Sequence, residues 1–123
     1  MDALEQKTIL VVEDDTALSD LVCTALERGG HAVVRASEPG EAVALVSVFA
    51  RSIDLLVTDL VLPRGGGRQL VQSLIELGLD VPVLYLSERV EAPADLPGSR
   101  SLFLGKPFEL AELDWGVAHL LRH

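Results

Sequence analysis

The chain has 123 residues, enough for one domain with a sizeable core, and 49% hydrophobic against 24% charged residues suits a compact soluble fold. Nineteen acidic residues against ten basic ones give a net charge of −9, which speaks against direct nucleic-acid binding and favours cations or basic partner surfaces. The single cysteine excludes a disulfide scaffold, and no stretch has the uninterrupted apolar length that membrane insertion requires.

The acidic lead Met1–Lys7 lacks the basic-then-apolar order of a signal peptide, so a cytoplasmic location is expected. Thr8-Ile9-Leu10-Val11-Val12 then reads as a buried strand that ends abruptly on Glu13-Asp14-Asp15. Leu18, Leu21, Val22, Ala25 and Leu26 recur at helical spacing, with Cys23 inside the pattern as a small buried hydrophobe, and Gly29-Gly30 stops the helix. His31–Arg35 is a short strand. Ser37-Glu38-Pro39 opens a second helix, whose inward stripe is Ala42, Val43, Val46 and Phe49.

Leu55–Asp59 is a third strand, running into the Pro63–Gly67 loop. Leu70, Val71, Leu74 and Leu77 mark a third helix ended by Gly78, and Val83–Ser87 is a fourth strand that finishes on a hydroxyl. From Glu88 to Arg100 the periodicity fails. Pro93 and Pro97 make a full helix there unfavourable, because each interior proline costs on the order of 3 kcal/mol. Ser101–Gly105 is a fifth strand, followed by Lys106-Pro107-Phe108 and a last helix striped with Leu110, Leu113, Val117, Leu120 and Leu121. Strands alternating with helices predict an α/β doubly wound five-stranded parallel sheet of order 2-1-3-4-5, with helices on both faces and the fourth helix truncated or replaced by a loop.

Asp59 alone could be a turn-former. In the predicted sheet, however, strands one, three, four and five end at one edge, where Glu13, Asp14, Asp59, Ser87 and Lys106 converge. Close carboxylates need a neutralising cation, and an oxygen-only set with few carboxylates suits Mg²⁺.

These residues resemble the receiver domain of two-component response regulators, a CheY-like family with the flavodoxin-like fold. The motifs are Val11-Val12-Glu13-Asp14-Asp15, Leu56-Val57-Thr58-Asp59, Leu62-Pro63, Gly67, Ser87 and Lys106-Pro107-Phe108. The match covers nearly the whole chain and implies a single receiver domain over 1–123. It also implies that Asp59 is a phosphoacceptor, taking a phosphoryl group from a histidine kinase or histidine phosphotransfer protein. Asp14 and Asp59, with the backbone carbonyl of Val61, would hold Mg²⁺, and Glu13 would reach it directly or through water. Lys106 and the Ser87 hydroxyl would bind phosphoryl oxygens, and Ser87 with Phe103 would form the switch. The domain is thus expected to be a signalling module rather than an enzyme, acting on an unknown downstream protein by contact or phosphorelay.

Two departures carry expectations of their own. Where the family usually has a small residue after the strand-four hydroxyl, this chain has Glu88-Arg89, which places modulating charges beside the phosphoryl pocket. The shortened segment from Glu88 to Arg100 is similar to the C-terminal receivers of hybrid histidine kinases and argues against dimerisation through the face that the fourth helix would build. The competing readings are a phosphorylation-independent docking receiver, whose hallmark is a lost acid, hydroxyl or lysine, and a Mg²⁺-dependent α/β phosphotransfer enzyme. The latter wants a second carboxylate where Val61 stands. The scattered His31, His119 and His123 are expected to be solvated, Trp115 partly buried, and Gly65-Gly66-Gly67 a flexible loop beside Asp59.

Overall fold

A computed structural model describes residues 6–49, 52–89 and 91–122; the acidic lead at 1–5 and His123 lie outside the described residues. The strands are β1 (Thr8–Val12), β2 (Ala32–Ala36), β3 (Leu55–Asp59), β4 (Val83–Ser87) and β5 (Ser101–Gly105). The helices are α1 (Thr16–Arg28), α2 (Pro39–Phe49), α3 (Gly67–Glu76) and α4 (Leu110–Leu121). All strand pairs are parallel, and the order is β2-β1-β3-β4-β5. This is the predicted topology, with β2 one residue later than expected.

β3 and β4 are buried along their whole length, as strands covered on both faces must be. On one face, Val22, Cys23 and Leu26 of α1 and Leu113, Val117 and Leu120 of α4 pack on Ile9, Val11, Leu55, Val57, Leu84 and Leu86. On the other, Ala42 and Val46 of α2 and Leu70, Val71 and Leu74 of α3 cover Leu10, Val12, Leu56, Val83 and Tyr85. The two sets alternate along each strand because successive side chains point to opposite faces.

The helical stripes are narrower than the sequence implies. Leu21, Phe49, Leu77 and Leu110 are exposed, and Ser19 takes a buried place on α1. Phe49 and Leu110 are terminal helical residues and Leu77 caps α3, while Leu21 lies within α1. Trp115, off the buried stripe of α4, is 60% exposed and stacks on His119 with ring centroids 5.0 Å apart. His31 is half-buried rather than solvated, and its buried Nδ1 has no hydrogen-bond partner.

Between β4 and β5 no helix forms among the described residues. The crossover is tied down side chain by side chain. The buried Tyr85 hydroxyl donates to the Pro97 carbonyl (2.7 Å), Arg68 of α3 pairs with Asp95 (2.8 Å), and Leu96 packs on the core. These contacts supply locally what a helical ladder would have supplied to the backbone.

Candidate functional site

The carboxyl ends of β1, β3, β4 and β5 open onto a cavity of about 520 Å³ lined by Glu13, Asp14, Asp15, Asp59, Val61, Ser87, Glu88, Arg89 and Lys106. Every site residue expected from the sequence lines it except Phe103. Phe103 is half-buried on β5, opposite Tyr85 in register, and lines a separate groove of about 360 Å³ with Leu102, Leu104 and Trp115.

Asp59 is the last residue of β3 and is buried. Its two oxygens have different partners: Oδ1 accepts the Val61 N–H (3.1 Å) and Oδ2 accepts from Lys106 Nζ (2.6 Å). Thr58 Oγ1 donates to the Asp59 backbone carbonyl (3.0 Å), and the Leu60 N–H donates to Leu86 O (2.9 Å), so β4 braces the chain just past Asp59. Gly67 closes the loop from the other side. It donates to Leu60 O (2.9 Å), and a Cβ there would lie well inside 3.0 Å of the Asp59 carbonyl oxygen. Of the three glycines expected to form a flexible loop, Gly67 instead begins α3 against the backbone of Asp59 and is present because nothing larger fits.

Glu13 is buried beside Asp59, with Oε1 accepting from Lys106 Nζ (3.2 Å) and Oε2 from the Asp15 N–H (3.0 Å). Burial pushes its carboxyl up to about 6, the Asp15 N–H opposes this, the Asp59 charge adds to it, and Lys106 opposes it again. Lys106 feels the reverse balance. Burial pulls its ammonium down, but the hydrogen bond and charge of Asp59, and then those of Glu13, leave it raised above the ordinary lysine value.

Asp14 is exposed at the mouth, and single oxygens of Glu13, Asp14 and Asp59 all lie within 4.8 Å of one another. Three carboxylates so close, offset by one ammonium, fit a hard divalent cation by donor chemistry and by charge. Ser87 is buried at the end of β4, its Oγ accepting the Arg89 N–H (3.0 Å) while its carbonyl accepts the Lys106 N–H (2.6 Å). Glu88 and Arg89 are exposed at the rim.

The sequence reading placed Asp15 in the acidic motif but gave it no role of its own. It caps α1, with Oδ1 accepting the Leu18 N–H (3.1 Å), while its own N–H fixes Glu13. An Asp just before a helical stripe is the signal that marks it.

Comparison with known proteins gives a consistent match. The family model described as the response regulator receiver domain matches residues 9–116. The chain is similar to the response regulator MprA of Mycolicibacterium vanbaalenii, with 34% identity over 117 residues, covering 93% of this chain and 50% of MprA. The chain spans about half the length of the curated relatives it matches. Among solved structures, the non-phosphorylated HemR receiver domain of Leptospira biflexa is similar at 30% identity and TM-score 0.82, with 95% of each chain covered. The receiver domain of the hybrid histidine kinase CckA aligns at 27% identity and TM-score 0.81, covering 93% of this chain and 98% of that one.

Proposed function

The chain belongs to the response regulator receiver domain family, and from that membership we propose that Asp59 is its phosphoacceptor in a two-component or phosphorelay pathway. The observation that carries the reading is the Lys106 ammonium 2.6 Å from Asp59 Oδ2, inside a cavity that also gathers Glu13, Asp14 and Ser87. Such a site needs no separate base, because the nucleophile is a carboxylate.

In the proposed reaction Asp59 attacks the phosphorus of a phosphohistidine on a histidine kinase or phosphotransfer protein. A P–O bond to Asp59 forms as the P–N bond breaks, and the electron pair leaves on the imidazole. Phosphoryl transfer is chiefly positioning and charge neutralisation, so the work of the chain is to hold groups in place. Lys106 is within reach of a phosphoryl oxygen on Asp59 and can follow the charge there. Ser87 Oγ already accepts the Arg89 N–H, which leaves its own proton for a phosphoryl oxygen. Val61 N–H and the braced backbone around Leu60 keep the Asp59 carboxyl in one orientation. A Mg²⁺ ion held by Asp14, Asp59 and the Val61 carbonyl, with Glu13 directly or through water, would neutralise charge on the transferring oxygens.

The proposed switch joins Ser87 to Phe103. Ser87 and Gly105 are partners in the β4–β5 register, and Phe103 stands two residues back along β5, half-buried beside an open groove. Drawing Ser87 toward a phosphoryl group changes the space available to Phe103, and the groove reports it to a downstream protein. A cytoplasmic setting follows from the proposed donors. No helix among the described residues is long and apolar enough to cross a membrane.

Incubation with acetyl phosphate and Mg²⁺, followed by intact mass, tests the assignment. The expected result is a single phosphoryl adduct that disappears in Asp59→Asn. A chain that forms no Asp59-dependent adduct would instead be a phosphorylation-independent docking module.

A further inference from the structure

α2 is built almost wholly of apolar residues, and Glu41 is the only charged residue between Pro39 and Phe49. A helix that is apolar all round is normally covered on every side. Here Ala42 and Val46 are buried on the sheet, and Val43 and Leu45 are partly buried. Ala44, Ser47, Val48 and Phe49 are exposed, Val48 at 75%, and among the described residues nothing covers them.

Two features prepare this face for burial. Its polar groups are already satisfied within the chain: Ser47 Oγ donates to the Val43 carbonyl of its own helix (3.0 Å), and Glu41 Oε1 accepts from the Ser37 N–H (2.8 Å) and hydroxyl (3.1 Å). Covering the helix therefore strands no hydrogen-bonding group. The face is also free of charge from Ala42 to Phe49. The other exposed large apolar residues on helices or their caps, Leu21, Leu77, Leu110 and Trp115, each directly follow a carboxylate, on Asp20, Glu76, Glu109 and Asp114.

We infer that this face of α2 pairs with a second copy of the chain. Two copies that each carry −9 repel across most of their surfaces, and at α2 they can meet without opposing carboxylates. A partner recognised by charge would be basic and would gain nothing from an uncharged helix, whereas a two-fold axis sets the same apolar face against itself. An 11-residue helix is about 16 Å long, so α2 against α2 buries on the order of 300 Å² per copy, below the roughly 800 Å² of a standard interface. The pairing is therefore weak and reversible, with a Kd on the order of 0.1–1 mM. No residue of α2 lines the cavity over Asp59, so the pairing is independent of the phosphoacceptor reading.

Sedimentation equilibrium of the intact chain from about 20 μM to about 1 mM tests it, with a mass that rises toward the dimer as the expected result. Added NaCl should strengthen the dimer, because screening lowers the repulsion between copies. Val48→Glu and Ala44→Glu set like charges against each other across the axis and should weaken association about tenfold or more. Both side chains are exposed, so melting temperatures of these variants in dilute solution should stay within about 2 °C of the parent. Asp59→Asn should pair like the parent, which separates this inference from the fate of the phosphoacceptor assignment. A chain that stays monomeric at about 1 mM in high salt overturns the inference. So does a dimer that both glutamate variants form as readily as the parent, or one that salt weakens.

Discussion

Replacing Gly67 by alanine adds one methyl group at the point where α3 starts against the end of β3. The methyl would meet the Asp59 carbonyl oxygen far inside contact distance, with the Asp59 carbonyl carbon at 3.1 Å and Leu60 Cα at 3.2 Å. All three are backbone atoms of a braced segment, so no side chain can swing aside. Overpacking in a closed core costs about 1–3 kcal/mol, and a backbone obstacle places this variant at about 3 or above. For 123 residues the unfolding entropy is about 0.26 kcal/mol/K, so melting should fall by about 12 °C.

Gly116→Ala is the internal control. That methyl, in the middle of α4, would sit 3.5 Å from Leu84 Cδ1, an ordinary contact, and the helix gains about 0.8–1 kcal/mol of propensity. Its melting temperature should rise by about 3–4 °C. Circular dichroism melts of both variants without metal decide the matter. A Gly67→Ala protein that melts within about 2 °C of the parent would refute the close-approach argument, since the same added methyl would then have met no obstacle.

Two further outcomes follow from the site. Glu13 in the unfolded chain ionises near 4.5, whereas in the folded, metal-free protein it holds its proton to about 6. The folded state thus binds the extra proton, so this group destabilises the fold progressively as pH rises from 4.5 to 6 and by about 1–2 kcal/mol above that window. Urea unfolding of the parent against Glu13→Gln across those pH values should show the parent losing ground as pH rises; a difference that stays flat would contradict it. Glu88→Ala removes a carboxylate from the cavity rim and should lengthen the lifetime of the Asp59 adduct about two- to fivefold, read as phosphate release after the donor is removed. An unchanged decay rate would show that Glu88 does not reach the phosphoryl group.

The sheet order and the strand ends were legible in the sequence because β-branched runs stop sharply at Glu13, Asp59 and Ser87, and because glycine and proline punctuate the helices. Those signals are local, and parallel topology leaves few ways to join them. What was not legible depends on partners distant in the chain. Nothing near Gly67 says that the Asp59 carbonyl will press on it, and although the strand ends predicted that Glu13, Asp59 and Lys106 converge, they did not say that Lys106 would bind both carboxylates at once. The exposure of Trp115 agrees with its place off the Leu113, Val117 and Leu120 stripe, while its stacking on His119 was not foreseen. The helix-free crossover was foreseeable from Pro93 and Pro97, but the use of Tyr85 to anchor it was not.

That crossover also bears on how the molecule assembles. Ser87 and Ser101 bound the shortest connection between parallel neighbours in this sheet, near the lower limit of about a dozen residues for such a link. Loop-closure entropy grows with length, so β4 meeting β5 is the least costly of the parallel pairings to close. The β3–β4 and β1–β3 pairings span longer stretches of chain. Lys106 is therefore placed beside Ser87 by the pairing that costs least to close, whereas its contacts with Glu13 and Asp59 bridge longer stretches of chain. A crossover without a helix thus lowers the chain-entropy cost of bringing Lys106 to the cavity edge.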